Sequence, residues 1–347
     1  MSKDISNQGI TVVVPTLDRE GFLRNTITDL LAQTHRPMEI LVVDQSAQVS
    51  PQLLAFMQAH SGVVRYHRVP FRGSAKARNY GWQHAWYDAI VFVDDDIRCG
   101  PTFLTEHSRT LHLNGVGLIA GAVDTPGRQR SAGRFTGRFA QWTATPVADF
   151  EAEGEFDCDH APEGNFAVWR QVMVTVGGVD ETFDVPAALY EGTDLSLRVK
   201  HAGLRVHFNG QARLLHLAAP GGGNRVLDVP LYFWGLARNR AILMRRYLQW
   251  FHQPVAVARL FLLALAYAVH YRRPQVLFAL FNGYFAGLRA GGRTPYCTPY
   301  MDRKRDAQAT APVPVVAATC PPALDPPDTS ALDHTSFLRK RESAGVT

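Results

Sequence analysis

Cysteine is scarce in this chain of 347 residues: Cys99, Cys158, Cys297 and Cys320 are all there is, and no two form a CxxC pair. Neither a zinc knuckle nor a disulfide framework follows, and free thiols in a reducing compartment are the simplest reading. Strong charge of one sign is also missing. The formal net charge is +5, and no dense Lys/Arg stripe interleaved with aromatics appears, which argues against a nucleic-acid partner. The small surplus suits a ligand bearing phosphates or an anionic membrane surface. Met1 to Gly9 lacks the basic start and apolar stretch of a signal peptide, so the expected location is the cytoplasm, or the inner face of the plasma membrane. There is no internal repeat. What remains, 46% apolar and 19% charged residues, describes an ordinary folded chain with one large core, or one core and an appended helical unit.

The pattern along the chain is more specific. Ile10 to Val14 is a β-branched run closed by Pro15, and Glu39 to Val43 is a second run closed by Asp44. Between them Leu23, Ile27, Leu30 and Leu31 recur at helical spacing. Leu53–Met57 reads as a helix, Val63–His67 as a strand, Ser74–Trp86 as a helix capped by Ser74, and Ala89–Val93 as a strand. Strands alternating with helices predict an α/β fold with a mostly parallel central sheet flanked by helices. Beyond Pro101 the rhythm changes. The Gly/Arg-rich stretch Gly121–Arg138 is expected to be a mobile loop or an irregular connection. Phe166–Trp169, Leu204–Phe208 and Ala212–Leu217 read as strands, and Thr193–His201 and Tyr232–Trp250 as helices. The Pro/Ala/Thr-rich tail has no periodicity and is expected to be disordered.

The chemistry concentrates at Asp94-Asp95-Asp96, which follow the buried run Val91-Phe92-Val93. Three successive carboxylates repel one another unless something positive sits among them. A divalent metal with oxygen ligands is the usual answer, and a diphosphate can share it. Standing alone, such a triplet reads more readily as a solvated acidic turn. Asp44 also ends a strand and belongs near the same sheet edge, where open α/β sheets bind ligands; a carboxylate there can accept the ring N–H of a nucleobase. Arg72 to Gly81 begins a helix with a small, cationic first turn, which favours phosphate. Each feature has a mundane alternative: a strand-end acid, a cap, a surface arginine.

In their order, these blocks resemble the family 2 glycosyltransferases of GT-A fold. The resemblance runs from about Ile10 to Arg225. It rests on Val14-Pro15-Thr16, Glu39 to Asp44 with Ser46, Ala77-Arg78-Asn79, the acidic triplet, Gly164-Asn165, Gly177 to Glu181, Glu191 to Arg198, and His216. It implies an enzyme that moves a hexosyl or deoxyhexosyl group from a UDP- or dTDP-type sugar to an acceptor hydroxyl, with inversion. It also implies a Mn2+ or Mg2+ cofactor held by Asp96 and His216. Pro15, Thr16, Asp18, Asp44, Arg78, Asp94 and Asp95 would serve the nucleotide, with Asp44 at the base and Asp94 near the ribose. Gly164 and Asn165 would line the donor or acceptor pocket, although a turn asparagine fits Asn165 nearly as well. Family members usually carry Glu-Asp where this chain has Glu191-Gly192, and that aspartate is commonly the base. Here the role falls to Glu191, at the loop end, or to Asp194, whose alternative duty is to satisfy the helix dipole.

The resemblance divides the chain into a nucleotide-sugar and catalytic domain (1–230), a helical region (231–300) and a tail (301–347). Val255–Tyr271 and Val276–Leu288 are very apolar, yet at or below the ~17–25 residues of a spanning helix. With Arg245, Arg246, Arg272, Arg273 and Arg289 nearby, they are expected to pack on the catalytic domain or dip into one leaflet; a plain helical core or a homodimer interface is an equal alternative. A processive membrane synthase is excluded, since several spanning helices and a Q-x-x-R-W motif are absent. A nucleotidyltransferase is excluded by the lack of a glycine-rich basic loop after the first strand. Gly192 leaves open a non-catalytic sugar-nucleotide-binding relative or scaffold. The expected acceptor is a saccharide or a lipid-linked sugar, in cell-surface polysaccharide or glycolipid synthesis.

Overall fold

A computed structural model of the protein describes residues 8–131, 133–184, 189–223 and 226–292. The expectation for the tail, like Cys297, Cys320 and Arg225, lies outside these residues. The first half alternates as the sequence suggests: β1 (Ile10–Thr16), α1 (Glu20–Leu31), β2 (Met38–Asp44), α2 (Pro51–Ala59), β3 (Val64–Arg68), α3 (Ser74–His84) and β4 (Ala89–Val93). There follow β5 (Ile97–Cys99), α4 (Phe103–Leu111), β6 (Val116–Asp124), the hairpin β7 (Arg138–Ala140) and β8 (Thr145–Val147), and β9 (Glu155–Cys158). The last elements are β10 (Asn165–Trp169), α5 (Arg170–Val176), α6 (Glu191–His201), β11 (Arg205–His216), α7 (Val229–Tyr247), α8 (Gln253–His270) and α9 (Gln275–Gly291).

Among the described residues nine strands form one sheet in the order β3-β2-β1-β4-β10-β6-β11-β5, with β9 also paired to β11. The quartet β3-β2-β1-β4 is parallel, as expected. The other half is mixed, because β10 enters antiparallel between β4 and β6, and β5 and β9 run antiparallel to β11. Side chains on a strand alternate between faces, and both faces here are apolar. Val12, Val14, Ile40, Val42, Val91 and Val93 pack beneath α1, α2 and α4. Val13, Leu41, Val43 and Phe92 pack beneath α3, α5 and α6, with Phe92 stacked on Phe166 at 4.6 Å between ring centroids. Burial on both faces explains why these strands read as continuous apolar runs.

Three local expectations are corrected. Ser74 is the first residue of α3, not its cap; Gly73 precedes the helix at φ +136° and makes no side-chain capping bond. Asp184, 110 positions away, caps the helix instead, accepting from the Ala75 and Lys76 amides at 2.9 Å each. The stretch Gly121–Arg138 is not wholly a loop: it starts inside β6, where Gly121 leaves room for the Asn165 side chain to cross. The two strands expected at 204–208 and 212–217 are one, β11, with its register against β6 shifting between Asn209 and Arg213. Asn209 Oδ1 accepts the Gln211 amide at 2.7 Å and holds that irregularity in place.

The C-terminal helices have their own apolar cluster, which includes Phe233, Leu236, Leu243, Leu260, Tyr267 and Leu280 and reaches Phe139, Phe183 and Leu197 below. Helix α9 lies against α7 through Gly283, Gly287 and Gly291, one per turn. A Cβ on Gly287 would stand 2.1 Å from the Arg238 carbonyl oxygen and 2.7 Å from Ala241 Cβ. Backbone atoms cannot step aside as a side chain can, so Gly287→Ala is expected to lower stability by about 1–3 kcal/mol. The check is a urea midpoint at unchanged slope, against Gly21→Ala, whose Cβ meets nothing within 4 Å. Equal midpoints would mean that the α7–α9 seam is looser than described.

Candidate active site

Parallel pairing sets the frame. Thr16 stands opposite Asp44, and Val13 opposite Phe92, so the ends of β1, β2 and β4 bring Thr16, Asp44 and Asp94–Asp96 to one sheet edge. The antiparallel pair β5–β11 then returns the chain to the same place, with His216 opposite Ile97 and the Leu217 amide donating to the Asp96 carbonyl at 2.8 Å. One ligand atom from each of Asp94, Asp96 and His216 lies within 4.8 Å of the other two. The expected pair Asp96 and His216 is therefore brought together, and Asp94 joins it.

The three aspartates are not equivalent. Asp94 remains partly exposed and leans on Gly164, where a Cβ would come within 2.1 Å of its Oδ2. Gly164 thus makes room for an acid. Asp95 turns inward, accepting from Thr16 Oγ1 at 2.6 Å and from Arg19 at 3.0 Å. Burial pushes its carboxyl up to about 6, against the pull of Thr16 and Arg19. Asp96 is as buried, and burial alone would raise it. His216, the Ala219 amide and Arg19 overcome that and hold it at about 2. Its Oδ1 faces His216 Nε2 at 3.2 Å without satisfying hydrogen-bond geometry. An ionised, buried oxygen without a well-aligned donor among the described residues, beside an imidazole and a second carboxylate, suits a hard or borderline divalent cation.

Arg19, which the sequence reading did not single out, bonds Asp95 at 3.0 Å, Asp96 at 3.3 Å, and the Gly221 and Gly222 carbonyls at 2.8 and 3.2 Å. The segment after β11 is thereby drawn over the acidic cluster. Nothing in local spacing could have revealed this, since the partners lie 76 to 203 positions away. Asp44 is buried, accepting from the Ser46 amide at 2.7 Å and from the Tyr66 hydroxyl. A carboxylate has about four acceptor sites, so it retains capacity for a base N–H. Asp18 is exposed at φ +56°, its amide held by Ser46 Oγ at 2.8 Å, and Pro15 is partly buried beside Thr16.

Arg78 does not project from the helix start towards an open phosphate site. It is buried, ion-paired with Glu191, within 3.4 Å of Asp94 Oδ1 and 3.0 Å of the Glu163 carbonyl. Asp184 already occupies the amides at the α3 N-terminus. Asn165 is fully buried, bonding His107, the Ala122 carbonyl and the Ala212 carbonyl at 2.8–2.9 Å. It ties β10 to β6, β11 and α4. Of the two candidate bases, Asp194 is wholly buried between Arg198, Arg246 and the Tyr247 hydroxyl, at 2.7–2.8 Å. That is a clamp between α6 and α7. Glu191 is 1% exposed and accepts from Ser74 Oγ at 2.9 and 3.0 Å in addition to Arg78. Glu163, which the sequence reading passed over, is a third acid in this group.

A family model described as glycosyl transferase family 2 matches residues 11–173. The chain is 25% identical over 224 residues to a pre-mycofactocin glycosyltransferase of Mycobacterium tuberculosis, covering 61% of this chain and 43% of that protein. It is 26% identical over 230 residues to the O-antigen biosynthesis protein RfbC of Myxococcus xanthus, covering 60% and 17%. The chain thus spans less than half the length of these relatives. Among solved structures, that of GalNAc-T7 with UDP, GalNAc and Mn2+ superposes with a TM-score of 0.52 at 15% identity, over 66% of this chain and 47% of that one; at that identity the likeness concerns the fold. The match to glycosyl transferase family 2 thus spans residues 11–173, and the fold that carries it is of the GT-A kind.

Proposed function

We propose that the protein transfers a sugar from a nucleotide-diphosphate sugar, of UDP or dTDP type, to an acceptor hydroxyl with inversion. The observation that carries this reading is the Asp94–Asp96–His216 cluster at the carboxyl edge of the parallel strands, within a domain of this family. Asp94, Asp96 and His216 would hold the divalent cation, Mn2+ or Mg2+, whose charge offsets that of the departing diphosphate. Asp44 is offered to the base. Arg19 bridges the acidic triplet and the glycine segment, which suits it to follow the donor's arrival. The name of one relative, an O-antigen biosynthesis protein, supports a saccharide acceptor in surface polysaccharide synthesis.

Calorimetry of UDP and dTDP, with and without Mn2+, tests the site. Binding is expected to need the metal and to weaken at least about 10–100-fold in Asp96→Ala. Metal-independent binding that ignores the substitution would remove the cluster from the donor site. The burial of Glu191 and Asp194 in ion pairs favours one rival, a sugar-nucleotide-binding relative without turnover. It predicts the same binding and no nucleotide release from any donor.

A second part of the proposal concerns the C-terminal helices. From Val229 to Gly292 there is no Asp or Glu, while Arg259, Arg272, Arg273 and Arg289 are exposed. Trp250, Leu262, Val269, Phe278, Phe281 and Phe285 are exposed apolar side chains on the same helices. The stretch Trp250–His270 is long and apolar enough to cross a membrane by length and composition alone, with Arg259 within it. We propose peripheral docking of this face on an anionic bilayer, at the cytoplasmic side, near a lipid-linked acceptor. Cosedimentation with phosphatidylglycerol vesicles is expected to exceed that with neutral ones and to fall with salt. The pair Arg272→Glu and Arg273→Glu is expected to cost roughly 1 kcal/mol per charge removed. A chain that ignores both vesicles and dimerises would instead cover this face with a second copy.

A further inference from the structure

Three acids gather about the start of α6, and they differ in what can reach them. Asp194 and Glu191 are 0% and 1% exposed, and both are neutralised by arginine. Glu163 is the one of the three that is only partly buried as a residue, although its carboxyl is desolvated. It sits in the loop before β10, one residue from the Gly164 over which the Asp94 carboxylate lies. Its carbonyl is fixed by Arg78 Nη2 at 3.0 Å. Its side chain fills the space above Gly192: a Cβ built on that glycine would come within 2.9 Å of Glu163 Cγ. The Tyr190 and Gly192 amides act on its carboxylate, so the acid is seated on the N-terminus of an 11-residue helix.

We infer that Glu163 is the general base that takes the proton from the acceptor hydroxyl. This deepens the transfer reading above and rests on it. In the step, the acceptor O–H bond breaks and its proton goes to Glu163. The acceptor oxygen forms a bond to the anomeric carbon. The bond from that carbon to the diphosphate oxygen breaks, its electron pair leaves with the nucleoside diphosphate, and Glu163 later returns its proton to water. Glu191 is poorly placed for this, because protonating it would leave the buried Arg78 guanidinium only the more distant Asp94 carboxylate, at 3.4 Å, as counter-charge. Glu163 carries no such penalty. Burial pushes its carboxyl up to about 7, reinforced by Asp94 and opposed by Arg78, a value matched to proton abstraction near neutral pH. Gly192 is then explained: the base reaches its place from another segment, and a side chain at 192 would evict it.

The test is nucleotide release from UDP-glucose, UDP-N-acetylglucosamine and dTDP-rhamnose in Mn2+, with octyl glycosides and water as acceptors. Glu163→Gln is expected to lower kcat by about 10²–10⁴-fold, with Mn2+-dependent UDP binding and the urea midpoint unchanged. Gly192→Asp in the wild-type background is expected to lower turnover, since it crowds Glu163. The same substitution in a Glu163→Ala background is expected to raise turnover, because it returns a carboxylate to the vacated space. That reversal of sign is not expected of a merely structural glutamate. Wild-type kcat in Glu163→Gln would overturn the assignment, as would a parallel loss of UDP binding and kcat. A wild-type protein that binds neither nucleotide with Mn2+ would sink the transfer reading itself; one that binds and turns over beside an equally active Glu163→Gln would sink only the base.

Discussion

Carboxylates gathered at the end of a buried sheet must be matched by positive charge, and two arginines supply it here. Arg19 holds Asp95 and Asp96 from the outer side, while Arg78 lies inside among Glu191, Asp94 and the Glu163 carbonyl. Neither is surplus. Desolvating a lone carboxylate costs several kcal/mol after relaxation, so each acid left unmatched would weigh heavily against a marginally stable fold. The neutralisation is incomplete by design of position: Asp96 stays ionised with one oxygen lacking a donor, whereas its neighbour Asp95 is pushed towards protonation by burial. Two adjacent acids in different environments have thus been given different tasks, Asp95 binding β1 to the turn and Asp96 facing the cluster.

Glycine makes this crowding geometrically possible at a few positions. Gly164 admits the Asp94 carboxylate, Gly121 admits the Asn165 amide, and Gly73, at a φ that L side chains rarely adopt, admits Asp184 onto the α3 amides. In each case the incoming polar group arrives from a distant part of the chain and forms contacts that no local element could provide. The glycines and the acids are therefore one device read from its two halves.

This separates what was legible in the sequence from what was not. The parallel quartet was legible because burial on both faces writes itself as unbroken Val/Ile/Leu runs, and the triplet Asp94–Asp96 because it is contiguous. The cluster partner His216 was found through the order of motifs, and the structure does bring it to Asp96. Arg19, Glu163 and Asp184 were passed over, since each acts across 70 or more positions on a partner that spacing does not reveal. Asn165 was expected to line the donor or acceptor pocket and Arg78 to serve the nucleotide, and both take part in buried internal ties. Their residue types fit ligand contact and internal tie equally well, and only burial distinguishes the two. Ser74 failed as a cap for a related reason: its hydroxyl is drawn to Glu191, and a better acceptor, Asp184, takes the helix amides.

The clamp at Asp194 joins the two proposed surfaces. Arg246 of α7 binds Asp194 and Asp180 at 2.8 Å each, with Tyr247 adding a hydroxyl at 2.7 Å. Asp194 lies one turn into α6, whose first residues are Glu191 and Gly192, the floor on which Glu163 rests. Breaking a buried charged network of this kind typically costs about 3–5 kcal/mol, so α6 and α7 move as one body under ordinary fluctuations. Helix α9 is in turn seated on α7 along a glycine seam. A bilayer engaging the exposed arginines of α8 and α9 would therefore set its distance and tilt relative to the Glu163 carboxylate through packed backbone, without a flexible linker between. Were an acceptor hydroxyl presented from a lipid surface, as proposed, this chain of contacts would hold the proposed base at a fixed height above it.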